Sequence, residues 1–116
     1  MFYKCTSLTK GPSILPATTL AEHCYHEMFC DCTSLTTAPE LSARTLVDTC
    51  YSYMFNDCEN LNEITCLATD ISASGATTNW VSGVAANGTF TKAASMEDWP
   101  EGVNGIPAGW NIVNAT

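Results

Sequence analysis

The chain repeats itself. Residues 1–9 read MFYKCTSLT, residues 28–36 read MFCDCTSLT and residues 54–62 read MFNDCENLN, at offsets of 27 and then 26. The match continues between these blocks. LPATTLAEHCYHEMF, residues 15–29, lies on LSARTLVDTCYSYMF, residues 41–55, at an offset of 26. A period of this length marks a stacked supersecondary unit. One such unit cannot bury its own apolar faces, so its stability has to come from neighbouring copies.

The pattern inside the unit predicts its elements. Leu20, Cys24, Tyr25, Met28 and Phe29 follow one another in steps of 4, 1, 3 and 1, which trace one face of an α-helix. Leu46, Cys50, Tyr51, Met54 and Phe55 repeat that face. Thr19 stands three before Glu22 as a capping box, and Thr45 three before Asp48 as its shorter acidic variant. Pro12, Pro16 and Pro39 fall outside the predicted helices. A short extended segment follows each block: LTKGP at 8–12, LTTAP at 35–39 and LNEITCL at 61–67. The last, with Leu61, Ile64 and Cys66, has the spacing of a leucine-rich-repeat strand. Each turn is therefore expected to be one strand plus one helix, an α/β unit.

Residues 22–32, EHCYHEMFCDC, raise the question of a metal. On the 26-residue register Cys24 lies on Cys50, and Cys32 on Cys58 and Cys5, so these recur as small apolar core residues. His23, His26 and Cys30 do not recur. They are weak candidates for a metal or redox site, His26 and Cys30 sharing a face of the predicted helix. Zinc wants four ligands in fixed geometry; the favoured reading is core cysteines beside exposed histidines, with no metal and no cofactor. Seven cysteines, an odd number, exclude a complete disulfide framework within one chain.

No catalytic motif appears. GVAANG lacks the Lys-Ser/Thr of a phosphate loop, and no G-x-S-x-G elbow exists. The chain is read as not an enzyme. Its formal charge is −8, with only Lys4, Lys10, Arg44 and Lys92 positive. That excludes the basic face a nucleic-acid binder needs, and an anionic membrane surface with it. No apolar run approaches a membrane span.

From residue 70 cysteine vanishes and small polar residues dominate, yet Trp80, Trp99 and Trp110 argue against a linker. GTFTKA at 88–93 and WNIVNA at 110–115 read as strands, and TNWVSGV at 78–84 as a short helix. With LNEITCL they keep nearly the repeat spacing. Residues 70–116 are thus expected to be two degenerate turns that close the C-terminal end. The N-terminus has neither a leader pattern nor a cap, so further repeats are expected before it.

The blocks MF-x-x-C-T-S-L-T and PATTLAEHCY resemble the BspA-like leucine-rich repeats of bacterial surface proteins, over residues 1–69. The resemblance implies a leucine-rich-repeat solenoid, a right-handed β/α superhelix of about five turns with the last two degenerate. It implies a cell-surface or secreted bacterial location and adhesion-type binding to a host or bacterial surface protein or glycan. On strands, alternate residues point outward. The binding face would then carry Lys10, Pro12, Thr37, Pro39, Glu63, Thr65, Thr89, Thr91 and Asn111. The competing readings are a structural spacer that presents another domain, and a metal- or redox-responsive module at His23, His26 and Cys30.

Overall fold

A computed structural model describes residues 14–15, 25–96 and 99–115. The expected strand at 8–12, the Thr19–Glu22 pair, and Lys10, Pro12 and His23 lie outside the described residues. Five strands form one parallel sheet in chain order: β1 (Ile14–Leu15), β2 (Glu40–Leu41), β3 (Glu63–Cys66), β4 (Thr89–Lys92) and β5 (Asn111–Asn114). Ile14 pairs with Glu40 and Glu63 with Thr89, each 26 residues on. Thr89 pairs with Asn111, only 22 on, so the last repeat is four residues shorter. The sequence period is thus the period of the hydrogen bonds.

The described residues form no helix, which corrects the helical half of the expected unit. Residues 47–58 run instead as overlapping β-turns. Cys50, Ser52, Met54, Asn56 and Cys58 donate their N–H groups to Val47, Thr49, Tyr51, Tyr53 and Phe55. Thr49, Tyr51, Tyr53, Phe55 and Asp57 donate theirs to Ser74, Ala76, Thr78, Trp80 and Ser82, one repeat away, at 2.7–3.1 Å. Tyr25, Glu27, Phe29 and Asp31 do the same to Cys50, Ser52, Met54 and Asn56. Even-numbered N–H groups are used within a repeat and odd-numbered ones between repeats. Both sets are satisfied, as buried backbone requires. Stacking is therefore hydrogen-bonded on two sides, by the sheet and by this turn ladder.

The local sequence explains the choice. TCYSYMFNDC has no Ala, Leu, Glu, Lys, Gln or Arg, the strong helix formers, apart from the neighbouring scale member Met54. The ladder also needs a left-handed residue at every fourth position. These are Glu27 and Asp31; Thr49, Tyr53 and Asp57; and Gly75, Asn79 and Gly83, with φ between 49° and 80°. They form columns at the 26-residue offset. The third repeat fills its positions with Gly and Asn, the residues that tolerate this region. The expected TNWVSGV helix at 78–84 belongs to the same ladder. The Thr45–Asp48 box does not form: Asp48 Oδ1 accepts the N–H of Ser74 in the next repeat at 3.0 Å.

The core lies between sheet and ladder. Leu46, Cys50, Tyr51, Met54 and Phe55 are all buried, with Leu61, Ile64 and Cys66 opposite them. Aromatic rings stack along the repeat axis. Tyr25 lies on Tyr51 at 6.0 Å, Tyr51 on Trp80 at 5.9 Å, and Trp80 on Trp99 at 5.6 Å, with interplanar angles of 19°, 11° and 6°. Phe29 stacks on Phe55 at 5.7 Å, and Phe90 meets Trp80 edge-on. Trp80 is fully buried and donates its indole N–H to Gly105 at 2.9 Å.

A backbone test follows from the columns. A Cβ at Gly83 would stand 2.5 Å from Asp57 Oδ1 and 3.2 Å from Asp57 Cα, at φ +80°. Gly83→Ala is expected to lower stability by about 2 kcal/mol or more, by strain plus overlap. Thr49, a β-branched residue at φ 55°, is the converse case: Thr49→Gly is expected to be neutral or to raise stability by about 1 kcal/mol. Urea titration of both variants measures this. Equal losses in the two would rule out the left-handed columns.

Candidate strand-face site

The outward residues of the sheet fall into columns. Thr37 bridges Glu63, Glu63 pairs with Thr89, and Thr89 with Asn111. Beside them Thr65 pairs with Thr91, and Thr91 with Val113. Adjacent rungs of a parallel sheet stand about 4.8 Å apart, so these side chains meet across strands. Thr37 Oγ1 donates to Glu63 Oε2 at 3.2 Å.

Together Thr37, Glu63, Thr65, Thr89 and Thr91 line a shallow hollow of about 120 Å³, floored by Ala38 and Ile64. Drug-sized ligands occupy sites of roughly 300–1,000 Å³, so this hollow takes a side chain or one sugar edge rather than a whole small molecule. Among the described residues Glu63 is the one charged lining residue, and it is exposed. The geometry supplies hydroxyl donors and acceptors around the Glu63 carboxylate.

Pro39 departs from the expected set: its side chain is fully buried. The cause is a one-residue slip. Thr37 bridges Glu63 across 26 residues, but Leu41 pairs with Cys66 across 25. The extra residue breaks the in–out alternation between 37 and 41, and Ala38 and Pro39 both turn inward. A single strand read by itself gives no sign of this; the proline in LTTAPEL is the one cue.

Of the metal candidates, His26 and Cys30 lie among the described residues. His26 Nε2 lies 3.1 Å from Glu27 Oε1, and its ring meets Tyr53 edge-on at 6.1 Å. Cys30 is buried and its Sγ donates to Asn56 Oδ1 at 3.8 Å. The shared helix face that linked His26 to Cys30 does not exist, since the segment is a turn ladder. Among the described residues no three His, Cys, Asp or Glu side chains stand together as a metal site.

Cys30, Cys32, Cys50, Cys58 and Cys66 are buried and form no disulfide. Burial, helped by the neighbouring Asp31, Glu27 and Asp57 carboxylates, pushes the Cys30 thiol up to about 11. Burial pushes Cys58 and Cys66 up to about 12, against the opposing hydrogen bonds at Cys32 and Ala68. Cys58 Sγ donates to Phe29 O at 2.9 Å. The Cys30, Cys58 and Cys66 thiols are protonated and poorly nucleophilic at neutral pH.

No protein-family model matches the chain, and no curated protein and no solved structure matches it significantly.

The raised thiols make a pH prediction. The unfolded chain loses these protons near 9.0, the folded chain only near 11–12. Above pH 9 the folded state therefore binds more protons, and stability falls as pH rises. Chemical denaturation midpoints are expected to be flat in this respect from pH 7 to 8.5 and to decline between pH 9 and 11. An aromatic disulfide reagent at pH 8 is expected to titrate these five thiols slowly in the native chain and quickly in denaturant. Prompt native reaction of all of them would contradict their burial.

Proposed function

We propose that the chain is a non-enzymatic interaction module, built as part of a leucine-rich-repeat solenoid of the BspA-like kind, that acts by adhesion through its strand face. The proposal includes a cell-surface or secreted bacterial setting and, as partner, a host or bacterial surface protein or glycan. The observation that carries it is the convergence of Thr37, Glu63, Thr65, Thr89 and Thr91 on one polar hollow. A flat, hydroxyl-rich face without charge repulsion suits a macromolecular surface. It is too shallow for an enclosed substrate. The in-register repeats support the solenoid reading, because each brings one more strand to the same face. The turn ladder is a departure from the expected β/α unit, so the reading rests on the strand side alone.

The test compares the parent chain with a variant in which Thr37, Glu63, Thr65 and Thr89 are all changed to Lys. Both are screened against extracellular-matrix proteins, mucins and a glycan panel, with circular dichroism to check folding. Saturable binding by the parent, weakened at least about tenfold in the folded variant, is the expected result. No binding, or equal binding, overturns the strand-face site and favours the spacer reading.

A further inference from the structure

We propose that Asn87 is a site of self-modification, at which the backbone nitrogen of Gly88 attacks the side-chain amide and the residue converts to aspartate and isoaspartate. The sequence holds two Asn-Gly pairs, Asn87–Gly88 and Asn104–Gly105. Asparagine is a thermolabile residue. It is most reactive before glycine, which has no Cβ to shield its nitrogen and leaves the backbone free to turn. The two pairs are alike in sequence, and the structure separates them.

Asn104 is tied down. Its Oδ1 accepts the N–H of Asn79 at 2.7 Å, and its carbonyl accepts the Thr77 hydroxyl at 2.8 Å. The attacking nitrogen is engaged as well, because Gly105 donates its N–H to Gly102 at 3.1 Å. Gly105 is buried, and a Cβ there would stand 2.0 Å from Pro100 O. Ring closure at this pair would have to break the bonds to Asn79 and Gly102, each with its own cost.

Asn87 is held by nothing comparable. It is exposed, in the bend at 86–87 that leads into β4, outside both sheet and ladder. Among the described residues neither its side chain nor the Gly88 N–H has a hydrogen-bond partner. The strand is held just beyond. Gly88 O accepts the N–H of Asn111 and Thr89 donates its own to Asn62 O, both at 2.9 Å. The Gly88 nitrogen therefore stays available while β4 stays paired.

The step balances without a co-reactant other than water. A bond forms between Gly88 N and Asn87 Cγ, the Cγ–Nδ2 bond breaks, and Nδ2 leaves as ammonia with the former Gly88 amide proton. Water then opens the succinimide. Opening at Cγ gives aspartate, and opening at the backbone carbonyl gives isoaspartate, which adds a methylene to the main chain directly before β4. No room exists to absorb it. A Cβ at Gly88 would already stand 2.6 Å from Asn62 O and 2.7 Å from the Trp110 ring. The lengthened chain cannot keep both the Thr89–Asn62 and the Asn111–Gly88 bond, so isoaspartate loosens the entry to β4. Aspartate only adds a charge at an exposed position.

The test incubates the whole chain in warm, mildly alkaline buffer, native and in urea. Peptide mass spectrometry follows amide loss, and labelling by an isoaspartyl methyltransferase follows isoaspartate. In the native chain, conversion at Asn87 is expected to be at least about tenfold faster than at Asn104; in urea the two rates are expected to converge. Asn87→Gln, whose longer side chain closes the ring poorly, is expected to abolish native labelling. The purified isoaspartate form is expected to unfold at lower urea than the parent, and Asn87→Asp at the parent's midpoint. Equal native rates, or no native conversion at Asn87, overturn the proposal. So do rates that stay apart in urea, which would assign the difference to sequence alone, and labelling that survives Asn87→Gln. An isoaspartate form as stable as Asn87→Asp overturns the loosening of β4.

Discussion

The structure depends on one constraint, the return of the backbone to itself after 26 residues. At each return the sheet contributes a parallel rung, and the turn ladder contributes an N–H···O bond at every second residue. Because both sides are bonded, a repeat cannot slide or rotate on its neighbour without breaking two rows at once. This makes register a property of the whole stack. Small local slips are absorbed in pairs. The extra residue at 37–41 shifts the offset to 25 at Leu41–Cys66, where it still stands at the Thr45–Asp70 bridge. By Asp48 and Ser74 it is back at 26. The same register carries the outward threonines into columns, so the hollow on the strand face is a consequence of it.

The core shows how the stack tolerates the decay of its own repeat. Toward the C-terminus the cysteines disappear and the period shortens to 22. Tryptophans take over the filling. Trp80 lies flat between Tyr51 and Trp99 and is touched edgewise by Phe90, so one large ring spans what several smaller side chains fill in the earlier repeats. Large aromatics bury much area with few rotatable bonds. Their N–H groups need partners in return, and Trp80 and Trp110 find them in the carbonyls of Gly105 and Ala85.

Much of this was legible in the sequence, and the failures have a common physical origin. Repeat length, the strands at 61–67, 88–93 and 110–115, and the buried set Leu46, Cys50, Tyr51, Met54 and Phe55 all follow from periodicity. The element type does not. The buried apolar residues at 50, 54 and 58 and at 51 and 55 are spaced by four, and over nine residues that is hard to separate from the 3.6 of a helix. A straight helix would drift by about 40° at each such step; the turn ladder does not drift. The signal that separates them is the left-handed column, visible as Gly75, Asn79 and Gly83 in the third repeat but hidden beneath Thr49, Tyr53 and Asp57 in the second. The helix face that would have set His26 beside Cys30 is absent, because residues 25–32 run as turns. Pro39 was misplaced because alternation was carried through a slip that only strand pairing reveals.

The strand face answers to the physics of the sheet. β3 and β4 each lie between two paired strands, so their backbone is largely turned toward neighbours. Recognition there has to come from side chains, from the threonine hydroxyls and the Glu63 carboxylate, and is sensitive to single substitutions. A stacked repeat generates a surface of this kind that lengthens with each added turn, because the columns through Thr37, Glu63 and Thr89 and through Thr65 and Thr91 gain one side chain per strand while the spacing stays that of the sheet.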